Sequence, residues 1–266
     1  GKILQWKKGD LIAVPPITFL SSVNTIEHCG AKPIFIDINL NDYCMDPDIL
    51  EAELKKDKKR KIKAAIVVDY AGQPAQWKKF LKLKKKYNIK LVNDNCHALG
   101  SSYKNDTGYA VKYADLVSLS FHPVKAITTG EGGAILTNNS VYDKKAKLIR
   151  SHGIIRKKKH WEYKMNLLGY NFRLPDINCA LGISQIKKLN IFLNKRSKIA
   201  KFYDQIFSKN IKFKLRKKTK DSKNSYHLYP LLLNLKIIKK TKNQIINEFL
   251  KNKIKLQVHY IPVNTQ

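Results

Sequence analysis

Through roughly the first 140 residues, short β-rich runs alternate with helical patterns, and this rhythm admits few folds. Repeated strand-helix-strand units build a mainly parallel sheet with helices on its faces, so the expected class is α/β. Leu11 to Val14 reads as a strand, Ser21 to Cys29 as a helix stopped by Gly30, and Pro33 to Asp37 as the next strand. Asp46-Pro47 offers an N-cap followed by proline at the first helical position, which opens a helix reaching about Lys56. Ala64 to Val68 is a buried strand, Gln76 to Tyr87 a lysine-faced amphipathic helix, and Lys90 to Val92 another strand; Leu116 to Phe121 and Ala134 to Thr137 complete the set. From about Pro175 the apolar period becomes 3.6 for nearly thirty residues, as one long helix or two collinear ones.

The chain has 266 residues, enough for one large domain or one and a half. A large domain over 1–207 and a smaller one over 208–266 are expected, the latter a β-α-β-like tail of Tyr226 to Leu233, a helix around Thr241 to Leu250, and Leu256 to Ile261. Lys209 to Ser225 is the linker or loop candidate. Both ends look cut: Gly1 stands in place of an initiator Met shortly before a strand, and the chain stops at Gln266 just after another.

Lysine and arginine outnumber the acids by 52 to 20, a net charge of +32 that points toward anionic partners. Only six of those cations are arginine, the side chain suited to bidentate recognition of bases and phosphates, and the lysines are spread along the whole chain. Solvated helix faces explain most of them; nucleic acid is not the expected partner, and a non-catalytic basic RNA- or anion-binding protein is the competing class. Cys29, Cys44, Cys96 and Cys179 form no Cys-x-x-Cys pair and no histidine stands at zinc-finger spacing, so no metal is expected and a reduced, cytoplasmic setting fits. Nothing resembles a signal peptide or a membrane span.

In open parallel sheets, ligands bind beyond the C-terminal ends of the strands. Three polar segments follow strands here: Asp69 to Pro74, Asn93 to His97, and Ser120 to Lys125. A strand-end aspartate, a lysine about thirty residues later at another strand end and a glycine-rich turn beyond it suggest pyridoxal 5′-phosphate chemistry. Lysine forms a Schiff base with the cofactor aldehyde, and a carboxylate facing the pyridine nitrogen keeps the ring electron-poor. Lys125 and Asp94 are the candidates.

Longer ordered stretches carry a resemblance. Pro15-Pro16-Ile17-Thr18-Phe19, Pro33 to Asp37, Gly72-Gln73-Pro74, Asp94 to Gly100, Ser120 to Lys125 with Thr128 to Ala134, Ser151-His152-Gly153 and Leu168 to Leu174 occur in the order seen in the DegT/DnrJ/StrS-type nucleotide-sugar aminotransferases, which the chain resembles from about Gly9 to His259-Tyr260-Ile261-Pro262. Ser-Phe-His-Pro-Val-Lys, Asp-Tyr-Ala-Gly-Gln-Pro and Ser-His-Gly-Ile with Trp161-Glu162-Tyr163 look most like the members that aminate a UDP-linked sugar for pseudaminic acid-type, cell-surface polysaccharide biosynthesis. A GDP- or dTDP-linked keto-sugar is the alternative substrate.

The resemblance implies an aspartate-aminotransferase-like (PLP fold type I) large domain of three layers and part of a small α+β domain. It implies Lys125 as the Schiff-base lysine, Asp94 as the partner of the pyridinium nitrogen, His97 near the cofactor's phenolic oxygen, Ser120 on its phosphate and Phe19 stacked on its ring. Asn171 and Arg173 match a loop reaching the neighbouring subunit's cofactor phosphate in a homodimer. Tyr70, His122, His227, His259 and Tyr260 are candidate substrate contacts. Relatives that dehydrate their sugar carry histidine where Lys125 stands, so transamination is expected, with glutamate as amino donor and a nucleotide-linked 4-keto-6-deoxy sugar as acceptor. The family's phosphate cradle lies upstream of the first strand here and has no counterpart in the sequence.

Overall fold

In the computed structural model, which describes residues 1–159 and 161–266, β1 (Leu11–Val14), α1 (Leu20–Glu27), β2 (Lys32–Phe35), α2 (Pro47–Lys56), β3 (Ile62–Val68), α3 (Trp77–Tyr87) and β4 (Lys90–Asp94) alternate as the apolar rhythm predicts. β5 (Ser102–Tyr103), α4 (Tyr109–Tyr113), β6 (Leu116–Ser120) and β7 (Gly133–Leu136) follow. The main sheet has six strands in the order β2-β1-β3-β4-β6-β7. All neighbours are parallel except β7, which returns antiparallel to β6 and sets Gly133 opposite Ser120. The ends of β1, β3, β4 and β6 therefore share one edge, and all three polar strand-end segments open onto it.

Alternating side chains of these strands bury on opposite faces. Ala13, Ala65, Val67 and Leu91 join Trp77, Phe80 and Leu50 in the larger core, whereas Ile12, Val14, Ala64 and Ile66 pack with Ile26, Val23 and Trp6 on the other side. A sheet covered on both faces explains why its strands are continuous apolar runs. The Asp46 carboxylate caps α2 by accepting from the backbone N–H groups of Asp48 (2.8 Å) and Ile49 (3.4 Å). Polar side chains end the rhythm where the site begins.

Beyond the sheet come α5 (Ser140–Arg150), the hairpin β8 (Ile154–Arg156) and β9 (Tyr163–Met165), α6 (Asp176–Ile186) and α7 (Leu189–Phe207). The long 3.6-period pattern is thus two helices, interrupted at Lys187 and Lys188. α5 had no sequence expectation of its own: its polar surface, with no fully buried residue, blurred the apolar stripe.

The last sixty residues refine two expectations. Of the linker or loop expected at Lys209 to Ser225, the structure shows a docked loop: it carries β10 (Phe213–Lys214) and β11 (Ser222–Lys223), and β11 pairs with β5. Lys217 donates to the Asn41 carbonyl (2.7 Å), Arg216 to the Tyr70 carbonyl (3.1 Å), and Asn224 and Ser225 are buried. The β-α-β tail forms only in part: its helix stands where expected, its first strand is short and its second is missing. β12 (Leu232–Leu233) pairs with β10 and is only two residues long, α8 (Leu235–Ile238) and α9 (Lys242–Lys251) follow, and Leu256 to Ile261 forms no strand. Instead, the end of the chain is held against the loop after β1, where the Val263 N–H bonds the Pro16 carbonyl (2.9 Å) and Val263 enters the Trp6 core. Docking against existing structure replaces strand pairing, and it brings His259 and Tyr260 to the sheet edge.

Candidate active site

Asp94 is the last residue of β4, and its backbone register against Ser118 of β6 sets it at the shared edge. One carboxylate oxygen accepts from the Cys96 backbone N–H (3.1 Å) and the other from the Ser22 hydroxyl (2.7 Å). Lys125 follows β6 in the turn that returns to β7, its backbone N–H bonded to the His122 carbonyl (2.9 Å). Burial lowers the Lys125 amine pKa, opposed by the nearby Cys96 and Asp94. A lysine moved toward its neutral form is a better nucleophile and base.

Three imidazoles stand within the field of the same amine. His97 is 6% exposed and His227 lies 4.3 Å from it ring to ring. Desolvation, then the charges of His227, Lys125 and His259, push the His97 pKa down to about 2. Desolvation, followed by Lys125, Arg196 and His259, takes His227 to about 3, and His259 is lowered by desolvation and by Lys125. Neutral imidazoles beside an amine avoid the repulsion that charged ones would impose. His97 Nδ1 accepts from the Ala71 N–H (3.2 Å), and its Nε2 lies 3.0 Å from the Tyr260 hydroxyl.

Tyr260 closes this side of the site. Its ring lies 6.1 Å from that of Phe19 and 6.4 Å from that of Tyr70, whose hydroxyl donates to the His259 carbonyl. Phe19, at the N-terminus of α1, is 58% exposed, an uncovered apolar ring beside Tyr260. Tyr70, His227, His259 and Tyr260 thus gather with Asp94, His97, Lys125 and Phe19.

His122 is exposed and turned elsewhere: its Nδ1 accepts from the Val124 N–H (3.3 Å) and its Nε2 faces Glu131 at 3.8 Å. Ser120 ends β6, and its hydroxyl accepts weakly from the His122 N–H (3.4 Å). Asn171 and Arg173 lie exposed on a separate segment, where Asn171 bridges to Ser151. Within one chain these four do not join the imidazole cluster.

Below the site, Asp69 organises the loop after β3. Its carboxylate accepts from Tyr109 Oη (2.6 Å), Ala75 N–H (2.8 Å), Trp77 Nε1 (3.0 Å) and Asn95 Nδ2 (3.0 Å). Burial raises its pKa to about 6 against the pull of those donors. The sequence offered Asp69 only as a strand-end residue, and it offered no signal for Ser22 beyond a hydroxyl three residues after Phe19. A cavity of about 500 Å³ lies elsewhere: Lys78, Lys79, Lys104, Lys217, Lys218 and Lys220 line it with Asp42 and Asp221, and none of the site residues lines it.

The profile of the DegT/DnrJ/EryC1/StrS aminotransferase family matches residues 2–266. The chain belongs to this family. Among members of the DegT/DnrJ/EryC1/StrS group, the UDP-4-amino-4,6-dideoxy-N-acetyl-β-L-altrosamine transaminase of Campylobacter jejuni is 46% identical over 252 residues, covering 95% of this chain and 65% of that protein. The Helicobacter pylori transaminase of the same name is 39% identical over 95% of this chain and 65% of its own length. The chain therefore spans just under two thirds of these curated relatives. The structure of H. pylori PseC, an aminotransferase involved in pseudaminic acid biosynthesis, superposes with a TM-score of 0.88 at 37% identity, over 98% of this chain and 69% of that one. The PLP form of the sugar aminotransferase Spr1654 from Streptococcus pneumoniae superposes at 0.85 with 30% identity, over 100% of this chain and 70% of that one.

The residues present fit pyridoxal phosphate, the cofactor of this family. His227 Nδ1 is a buried nitrogen with no hydrogen-bond partner, Phe19 is an uncovered ring, and Asp94 keeps acceptor capacity after its two bonds. These surround an amine that burial moves toward nucleophilicity. Among the described residues, no helix is long and apolar enough to cross a membrane, and no group of three or more His, Cys, Asp or Glu side chains could hold a metal ion.

Proposed function

We propose that the protein is a PLP-dependent aminotransferase that moves an amino group from glutamate to the C4 ketone of a UDP-linked 4-keto-6-deoxy sugar, in the cytoplasm, for pseudaminic acid-type biosynthesis. The observation that carries this is the gathering, at one edge of the parallel sheet, of Asp94, His97, His227 and His259 close enough to Lys125 for their charges to be felt. The acceptor is taken from the C. jejuni and H. pylori relatives.

Lys125 would hold the cofactor covalently, Asp94 would pair with its ring nitrogen, and Phe19 would cover its ring, with His97 beside the phenolic oxygen and Ser120 toward the phosphate. The bound cofactor supplies an electron sink for the carbanions of both half-reactions. Lys125 Nζ removes the α-proton of the amino donor in one half-reaction and delivers a proton to the sugar's C4 in the other. Asp94, fixed by two donors, would present its carboxylate where a ring nitrogen needs a proton partner. His227, His259, Tyr70 and Tyr260 form a wall against which a sugar would lie, with His122 at the rim.

A homodimer with shared sites completes the proposal. Asn171 and Arg173 stand among Leu168, Phe172, Ile177 and Ile183, all at least 60% exposed, an apolar surface that a second copy would cover. Purified protein given pyridoxal phosphate is expected to show a visible absorption band that borohydride fixes to Lys125. Lys125→Ala should lose the band and all turnover of a UDP-keto-sugar with glutamate. A Lys125→Ala variant that keeps both would refute the assignment, and amination confined to GDP- or dTDP-sugars would refute the substrate.

A further inference from the structure

We propose that Ser22, backed by Thr18, is a positioning residue that locks the carboxylate of Asp94 in the plane a cofactor ring nitrogen requires; this rests on the aminotransferase assignment above. Thr18 Oγ1 donates to Ser22 Oγ (3.1 Å), and Ser22 Oγ donates to Asp94 Oδ2 (2.7 Å). A serine hydroxyl has one proton. With Thr18 supplying a proton to its oxygen, that of Ser22 points to Asp94, so the relay has a fixed direction.

The burial of the two hydroxyls needs this explanation. Thr18 is 1% and Ser22 6% exposed, and Ser22 lies in the first turn of α1 beside Val23 and Ile26, which face the core. A buried hydroxyl in a helix is unfavourable unless it is paired. Ser22 does not cap its helix; Phe19 is the N-cap, and no side chain caps that end. The hydrogen bonds of its hydroxyl among the described residues run to Thr18 and Asp94 alone.

For Asp94 the second donor matters geometrically. The Cys96 N–H holds Oδ1, which leaves the carboxylate free to rotate about its last bond; Ser22 on Oδ2 removes that freedom. Two of about four acceptor positions on the carboxylate are then filled, and the remainder stay open. A carboxylate so held keeps a ring nitrogen protonated. With the cofactor bound, a protonated ring would withdraw electrons and lower the basicity of the Lys125 nitrogen.

The test is a pH titration of the visible band in the cofactor-loaded protein, with cofactor affinity measured alongside. Ser22→Ala should move the titration midpoint upward by about half a pH unit or more and weaken cofactor binding about tenfold, equivalent to about 1.4 kcal/mol. Thr18→Val, which keeps shape and removes the outer donor, should shift the midpoint the same way by less. Asp94→Asn should give the largest shift. A Ser22→Ala protein with the wild-type midpoint overturns the relay, including one that merely melts earlier. If that variant does not fold, an unmoved midpoint in Thr18→Val overturns it. A wild-type protein without a band, or an Asp94→Asn protein with an unmoved one, instead defeats the aminotransferase assignment and the relay with it.

Discussion

The hydroxyl of Tyr260 lies 3.0 Å from Nε2 of His97, a contact that joins residues 163 positions apart. Because His97 Nδ1 accepts from the Ala71 N–H, that nitrogen carries no proton, and the neutral ring must carry its proton on Nε2. Nε2–H then donates to the Tyr260 oxygen. Imidazole nitrogen shifts measured by NMR should show this one tautomer for His97 from pH 5 to 8, with no titration in that range. A midpoint near 6.5 would contradict the buried, neutral assignment. Tyr260→Phe removes the acceptor and should raise the KM for the sugar several-fold more than it lowers kcat, since the ring wall is loosened while Lys125 is untouched.

Acid should destabilise the fold through the two buried imidazoles. His97 and His227 have folded pKa values of about 2 and about 3, below the ordinary value of about 6.5 that they regain on unfolding. Their stabilising contribution is complete above pH 6.5 and declines as pH falls toward the folded values, by roughly 1.4 kcal/mol per pH unit for each ring. Asp69 runs in the opposite sense: its folded pKa is about 6, above the ordinary carboxylate value, so its share is present at low pH and lost as pH rises through 6. Urea denaturation should therefore show a net uptake of about one proton on unfolding between pH 6 and pH 5, where the protons taken up by the two imidazoles exceed the one that Asp69 releases. A flat profile between pH 7 and 5 would rule out the neutral pair.

Removing the Asp69 carboxylate should cost more stability than any other polar change at the site. Asp69→Ala leaves the Trp77 indole N–H, the Ala75 N–H, the Asn95 amide and the Tyr109 hydroxyl without their acceptor, in a fully buried place. Each orphaned donor costs on the order of 1–3 kcal/mol, partly relieved by relaxation, so a loss of roughly 3 kcal/mol or more is expected in chemical denaturation. A loss under about 1 kcal/mol would mean that the loop finds other partners. Lys125 stands on a different strand end, so band formation in the surviving folded fraction should persist.

The rhythm of apolar runs anticipated the sheet well because its central strands β1, β3 and β4 pack on both faces, so burial largely writes their sequence. Asp94 and Lys125 were readable because strand ends in parallel sheets collect ligand-binding groups. Ser22 was not readable: its partner lies 72 residues away, and one of two adjacent helical serines has no periodic signature. The tail misled for a related reason. Leu256 to Ile261 has the composition of a strand, but strand formation depends on an available edge, and Val263 anchors to Pro16 instead. Arg216, in what reads as a lysine-rich linker, is drawn inward by the Tyr70 carbonyl, a contact no local pattern reports.

Two glycines decide where Asn171 and Arg173 stand. Gly153 has φ +68°, and a Cβ there would sit 1.9 Å from the Leu167 carbonyl oxygen; one on Gly169 would sit 2.3 Å from the Gly153 nitrogen. The backbones of the Ser-His-Gly and Leu-Gly-Tyr-Asn segments are therefore in direct contact, tied by His152 N–H to the Tyr170 carbonyl (2.8 Å) and Phe172 N–H to the Arg150 carbonyl (2.9 Å). Backbone atoms cannot yield as a flexible side chain can, so Gly169→Ala must push the 170–173 segment away from α5. If Asn171 and Arg173 reach a partner subunit's cofactor phosphate, Gly169→Ala should weaken cofactor binding at least tenfold and loosen the dimer in sedimentation, whereas the Asp94 carboxylate, held by Ser22 and Cys96, predicts an unchanged titration midpoint for the remaining bound cofactor. Gly169→Ala protein that binds cofactor and dimerises as wild type would remove this segment from the shared site.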